Sequence, residues 1–204
     1  HHGHFDGEER EFRGFGMVER WDTERFAALA DGEMPADNID AASHVPPVLT
    51  LTWFHTGIYL GRDRVSNHFA GLVDDSDLGE YYREPAWLRD DDDAKKRLLP
   101  DTVLPPGLTV EEEREACRAL KGSMLRQEVY ALDGVGVDAD YPHGYPYTVA
   151  EQNFTVSMRQ PRGANRHAVF FAHPREALTY HYEREPKDPR IQHALTLEVD
   201  AYGN

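Results

Sequence analysis

The chain has 204 residues, 37 acidic and 22 basic side chains for a formal charge of −15, and 40% hydrophobic residues. That length suits one large domain or two small ones, and a chain of this size buries roughly 70% of its unfolded surface, enough for a core. The acidic balance disfavours phosphate backbones and anionic lipid, which need basic stripes, and the single Cys117 excludes an internal disulfide and a Cys-based zinc cluster.

No run approaches the roughly 18 apolar residues of a membrane span, and no basic-then-apolar start marks a secretion signal. The first residue is His1, not Met. We therefore expect a processed or tagged chain, or an internal piece of a longer one.

The N-terminal HHGHFDGEEREFRGFGMVERWD reads as a turn and then a strand from Glu11 to Trp21, with Gly14 and Gly16 marking a bulge or a close backbone approach. TERFAALA, 23–30, has the spacing of a short helix, and the Pro-bounded polar run 33–47 reads as loop. In VLTLTWFHTG, period-2 alternation sets Leu49, Leu51 and Trp53 on one face of a strand, with Thr50, Thr52 and Phe54 on the other. Residues 58–108 have the weakest pattern and read as a surface excursion, its run Asp90 to Asp93 being a solvated face. A helix is expected over 109–121: Thr109 and Glu112 form a capping box, Val110, Cys117, Leu120 and Met124 lie roughly on one stripe with Ala116 beside it, and Gly122 is the stop.

MLRQEVYALDG then reads as a strand and turn. Beyond it the pattern is β throughout. FTVSMRQ alternates Phe154, Val156 and Met158 with polar residues, and HAVFFAH is apolar on both faces, as in a covered strand. LTYHYER alternates again, and HALTLEV places Leu195, Leu197 and Val199 on one face. The fold class expected is mainly β and antiparallel, with one clear helix.

His1, His2, His4 and Asp6 offer four potential metal ligands within a short span. A bound metal also needs fixed geometry and a supporting hydrogen-bond shell, so a turn or a tag remnant is the favoured reading. His55, at a strand end before a glycine, is placed where catalytic side chains are often presented, although a turn histidine is the commoner case. His68 with Asp63, Asp74 and Asp75 lacks the G-x-S-x-G elbow of a Ser-His-Asp site. No P-loop or dinucleotide fingerprint occurs. The pairs Glu111-Glu112 and Asp90-Asp91 sit in charge runs with nothing apolar to raise a pKa. Cys117, within a helical stretch, reads as a packing residue. Tyr141, Tyr145 and Tyr147 could make a stacking platform for sugars or peptides, or pack a turn against a sheet. No catalytic, cofactor or metal residue is assigned.

Five strings, taken together, resemble the B component of bacterial insecticidal toxin complexes, the Tc toxins, in its TcdB-like middle and C-terminal segment. They are HGHFDGEEREFRGFG at 2–16, WFHTG at 53–57, ALKGSMLRQEVYALDG at 119–134, YTVAEQNFTVSMRQPRGANRHAVFFAHPRE at 147–176 and LTYHYEREPKDPRIQHALTLEVDAYGN at 178–204. Residues 24–48 and 85–108 match poorly and read as variable loops. The closing DAYGN resembles turns of Rhs and YD-repeat proteins, whose hairpins wind into β shells.

The resemblance implies that residues 1–204 are a fragment of a curved Rhs/YD-type shell wall, secreted as part of a toxin complex, and not an enzyme. It implies partners in the rest of the B-component chain and in the C component, whose toxic C-terminal region the shell encloses. The A component would be reached only through a propeller absent from these residues, with no nucleic acid or membrane contact by this segment. Two other readings of the residues compete: a small secreted metal-dependent hydrolase using His1, His2, His4 and Asp6, and a carbohydrate-binding β module using the tyrosines.

Overall fold

The computed structural model describes residues 1–22, 46–72, 78–200 and 202–203. The helix expected over 23–30, most of the loop over 33–47, and Asp74 and Asp75 lie outside the described residues.

Strands β1 (Gly3–Asp6) and β2 (Glu11–Phe15) form a two-stranded hairpin. The main sheet has six strands in chain order: β3 (Met17–Asp22), β4 (Val48–Phe54), β5 (Met124–Ala131), β6 (Thr148–Gln160), β7 (Val169–His181) and β8 (Arg190–Leu195). Every neighbouring pair is antiparallel. The sheet is open, with β3 and β8 at its edges. Fold class and antiparallel order are those expected from the alternating patterns.

The strand expected over Glu11 to Trp21 is divided at Gly16, so that β2 and β3 serve different sheets. A Cβ on Gly16 would lie 2.9 Å from the Phe69 ring and 3.1 Å from His2 Cβ, so only glycine lets the backbone through. The β1–β2 register slips between His4 and Phe5, opposite Gly14 at φ +106°. Both glycines therefore do what a glycine in a strand signals, and the continuous strand is what fails.

Leu49, Leu51 and Trp53 of β4 are buried as their alternation predicts. What buries them is the stretch expected to be a surface excursion, which is a correction to that expectation. Val65, Tyr82, Trp87, Ala94, Leu98 and Leu104, all between β4 and β5, are core residues. This insertion contains a 3-10 turn (Pro85–Trp87), helix α1 (Asp91–Arg97) and helix α2 (Val110–Arg118), so among the described residues a second α-helix, inside 85–108, accompanies the one expected over 109–121. The charge run is α1 itself. Asp90 caps it by accepting from the Asp93 N–H, acids fill its first turn, and Lys95, Lys96 and Arg97 fill its last, which matches the helix dipole at both ends.

α2 carries the expected capping box: Glu112 N–H donates to Thr109 Oγ1 (3.3 Å), and Thr109 N–H donates to Glu112 Oε2 (3.0 Å). Ala116, Cys117 and Leu120 are buried, but Val110 is 56% exposed. The buried places nearby go to Glu112, which also accepts from Arg162 N–H, and to Glu113, which accepts from the Tyr59 hydroxyl and Arg62.

In the last third, most of HAVFFAH and the first half of LTYHYER belong to one 13-residue strand, β7 (Val169–His181), that runs through Pro174. The ladder steps from Asn153↔Glu176 to Phe154↔Pro174 and skips Arg175. Proline lacks an N–H, and a bulge is where a ladder tolerates that. Burial along β6 changes phase at the same point, with Asn153 and Phe154 both buried. The strand is half-buried rather than covered on both faces. β8 stops at Leu195, so Leu197, 94% exposed, and Val199 do not continue its face.

Candidate functional site

His1, His2 and Asp6 are drawn to separate partners, and no side-chain partner of His4 brings it to them among the described residues. His1 Nε2 meets Glu19 at 3.0 Å and His2 Nε2 meets Glu80 at 2.6 Å. Asp6 accepts from Glu8 and Glu9 N–H and faces Arg13 (3.1 Å) and Arg118 (3.2 Å). Burial works against its charge, but the Glu9 N–H and Arg118 prevail and hold the carboxyl below the usual range. His55 is fully buried: Gly57 N–H donates to Nδ1 (2.9 Å), so the proton sits on Nε2 and is given to Val65 O (2.6 Å). Burial, with neighbouring His68, pushes its pKa down to about 4, which makes it a neutral brace for the turn after β4. His68 is likewise pushed down to about 4 by burial, against the pull of Asp101. Cys117 is buried, and burial raises its thiol to about 12, so it packs as an apolar group.

The tyrosines do pack a turn against the sheet. Tyr141 is buried against Tyr82 (ring centroids 5.8 Å) and Tyr145 (5.1 Å), and Tyr82 meets Tyr182 at 5.5 Å. Tyr147 lies beneath the Arg184 guanidinium, 5.7 Å from its ring centre. Burial raises the phenols of Tyr82 and Tyr182, and that of Tyr141 to about 12.

The most elaborate polar arrangement was not singled out from the sequence. Arg126 of β5 is fully buried between Glu128 and Glu151, with Nε 2.5 Å from Glu128 Oε1 and Nη1 on Glu151 Oε1. It donates to Tyr82 O (3.0 Å) and lies over the Tyr81 ring at 4.7 Å. Glu128 also accepts from Tyr82 N–H (2.9 Å) and the Tyr130 hydroxyl (2.5 Å), and Glu151 accepts from Leu99 N–H (2.9 Å). Asp101 takes Val65 N–H (2.8 Å) and Ser66 N–H (2.7 Å), and Arg83 reaches Asp91 (2.6 Å) and Ala70 O (3.1 Å). A signal was present: Arg126, Glu128 and Tyr130 share the alternation of a buried face.

Beside this cluster is a cavity of about 370 Å³ lined by Trp53, Glu80, Tyr82, Glu128, Tyr130 and Tyr141, among others. The hydroxyls of Tyr82 and Tyr141 are buried and make no hydrogen bond. Glu80 accepts from Trp53 Nε1 (2.8 Å) and Glu128 is engaged as above, so both carboxylates are already committed as acceptors. The geometry locks the insertion onto the sheet.

Residues 115–204 match the model of a family described as the insecticide toxin TcdB middle/C-terminal region. Comparison with curated proteins finds no match. Among solved structures, the chain is similar to a crystal structure of TcdB2-TccC3, with 28% identity and a TM-score of 0.67, over 99% of this chain and 8% of the other. A crystal structure of TcdB2-TccC3-TEV is similar over 100% of this chain and 8% of the other, at 28% identity and a TM-score of 0.67. A structure of the Photorhabdus luminescens Tc holotoxin pore is similar over 98% and 8%, at 28% identity and a TM-score of 0.66. The chain thus spans about 8% of the length of the structures it resembles.

Proposed function

From a chain that is a TcdB-like B-component segment in sequence and fold, we propose that residues 1–204 form one segment of a shell wall enclosing the toxic C-terminal region of a C component. In this reading the segment works by confinement and turns over no substrate, within a secreted toxin complex. Its partners are the remainder of its own B-component chain and the C component, with the A component reached through other parts of the assembly. The observation that carries the reading is the similarity to TcdB2-TccC3 structures along nearly the whole chain, insertion included. The physics agrees: an antiparallel sheet that is open among the described residues, with β3 and β8 at its ends, suits a wall that continues into neighbouring strands, since closure removes such edges.

The test is protease protection. The complete B component is assembled with its C component and challenged with a broad-specificity protease. The C-terminal region of the C component should stay intact until the shell is denatured. Digestion in the assembled state, at the rate seen for the free C component, would overturn the enclosure.

A further inference from the structure

The ladder register separates the main sheet into two faces of different chemistry. One face, with Leu51, Trp53, Arg126, Glu128, Glu151 and Tyr180, lies under the insertion. The opposite face of β4–β7 runs from Val48, Thr50 and Thr52, through Gln127, Val129 and Ala150, to Ala177, Thr179 and His181. These positions are half-buried, with Thr52 buried, as on a sheet that, among the described residues, is packed from one side only. Over this regular part of the ladder the face carries no Asp, Glu, Lys or Arg, although such residues make up 29% of the chain. Charge returns only on the edge strands, at Arg20, Asp22 and Arg190.

Such a face fits neither of the usual settings. An outward face of a β protein carries charges that keep it soluble and block unwanted pairing. The core of an interface between folded layers is rich in aromatic residues, Met and Arg. This face has none of them, and its contacts are short and neutral, such as Gln127 Nε2 donating to Thr52 Oγ1 at 3.2 Å. Without a large apolar patch it cannot hold unfolded segments by burial, and without charge it cannot hold them by ion pairing. We propose that this Thr/Gln/Ala face is the lining of the wall, turned toward the enclosed C-terminal region of the C component as a surface that does not retain it. The inference rests on the wall reading and adds which side of the sheet meets the cargo.

In the complete B component cleared of other reactive thiols, Thr179→Cys places a probe on this face, and Lys95→Cys, on exposed α1, places one on the opposite layer. After assembly with the C component, labelling by a 5-kDa polyethylene glycol maleimide should fall at least tenfold at Thr179→Cys and stay unchanged at Lys95→Cys. A photocrosslinker on Thr179→Cys should capture the C-terminal region of the C component. Equal labelling at both positions would mean that the face meets the medium, and crosslinks confined to the B component would mean that another layer covers it. Either result overturns the assignment. Protease protection is read on the same samples. Digested cargo sinks the wall reading itself, whereas protected cargo with a labelled Thr179→Cys sinks only the choice of face. The pair Thr50→Leu and Thr179→Leu should slow cargo release severalfold by making the lining adhesive, and unchanged release would refute its non-retaining character.

Discussion

Arg126 binds two buried carboxylates that also hold backbone N–H groups of the insertion, so its removal is felt twice. Arg126→Ala would leave Glu128 and Glu151 charged and buried with no counter-ion, a change that costs about 3–5 kcal/mol. Buried ion pairs can often be replaced by apolar residues without loss. Here that remedy should fail, because apolar residues at 128 and 151 would orphan the N–H groups of Tyr82 and Leu99, at about 1–3 kcal/mol each. Urea unfolding of the single variant and of an Arg126→Met, Glu128→Leu, Glu151→Leu triple variant checks both statements: both should be destabilised. His68 gives a pH prediction. Its folded pKa of about 4 lies below the unfolded 6.5, so between these values the unfolded chain binds the proton and the folded one does not. Stability is therefore full above pH 6.5 and falls as pH drops toward 4, by up to roughly 3 kcal/mol at about 1.4 kcal/mol per pH unit. The buried Nδ1 has no partner and the ring lies 4.2 Å from Phe69, so His68→Phe should fold and flatten the midpoint-against-pH curve between pH 6.5 and 4.5. A curve of unchanged slope would refute this.

Among the elements, α2 depends on a local device. Thr109→Ala removes the acceptor for the Glu112 N–H and should cost about 1 kcal/mol, seen as a lower thermal midpoint with the helical signal retained below it. That helix was legible because a capping box is written in four consecutive residues. α1 was equally local, but its seven residues bury only Ala94, and without an apolar stripe its acid-first, base-last order passed for a solvated run. β7 reads as two strands because Pro174 reads as a turn, and the bulge at Arg175 that seats it shows only in the pairing with β6. The insertion resisted reading for a different reason. Its anchors join residues far apart in sequence, as from Leu99 to Glu151 or Tyr82 to Glu128, and no periodicity records them.

For the whole molecule, the two ends of the sheet are the exposed feature. All of β8 faces solvent, with Ile191 59% and Leu195 57% exposed, and an unpaired apolar edge is a template for pairing with another chain. The 204-residue chain should self-associate in sedimentation velocity as its concentration rises, and Ile191→Lys should shift it toward monomer. A monomer at all concentrations would count against this edge. The candidate site was less legible than the fold. The tyrosine packing was one of two readings of YPHGYPY, but its partners Tyr82 and Tyr182 lie on other elements, and the dispersal of His1 and His2 required Glu19 and Glu80 to be placed first.

The carboxylates of the sheet grip the insertion by its main chain. Glu128 and Glu151 take the amides of Tyr82 and Leu99, and every residue except proline supplies such an amide. Many side chains of this stretch can therefore change without unseating it, provided that the two acids beneath stay. A foreign segment of the same length, grafted between residues 58 and 108, should seat itself provided that it carries no proline at positions 82 and 99 and keeps the apolar residues that meet Leu51 and Trp53.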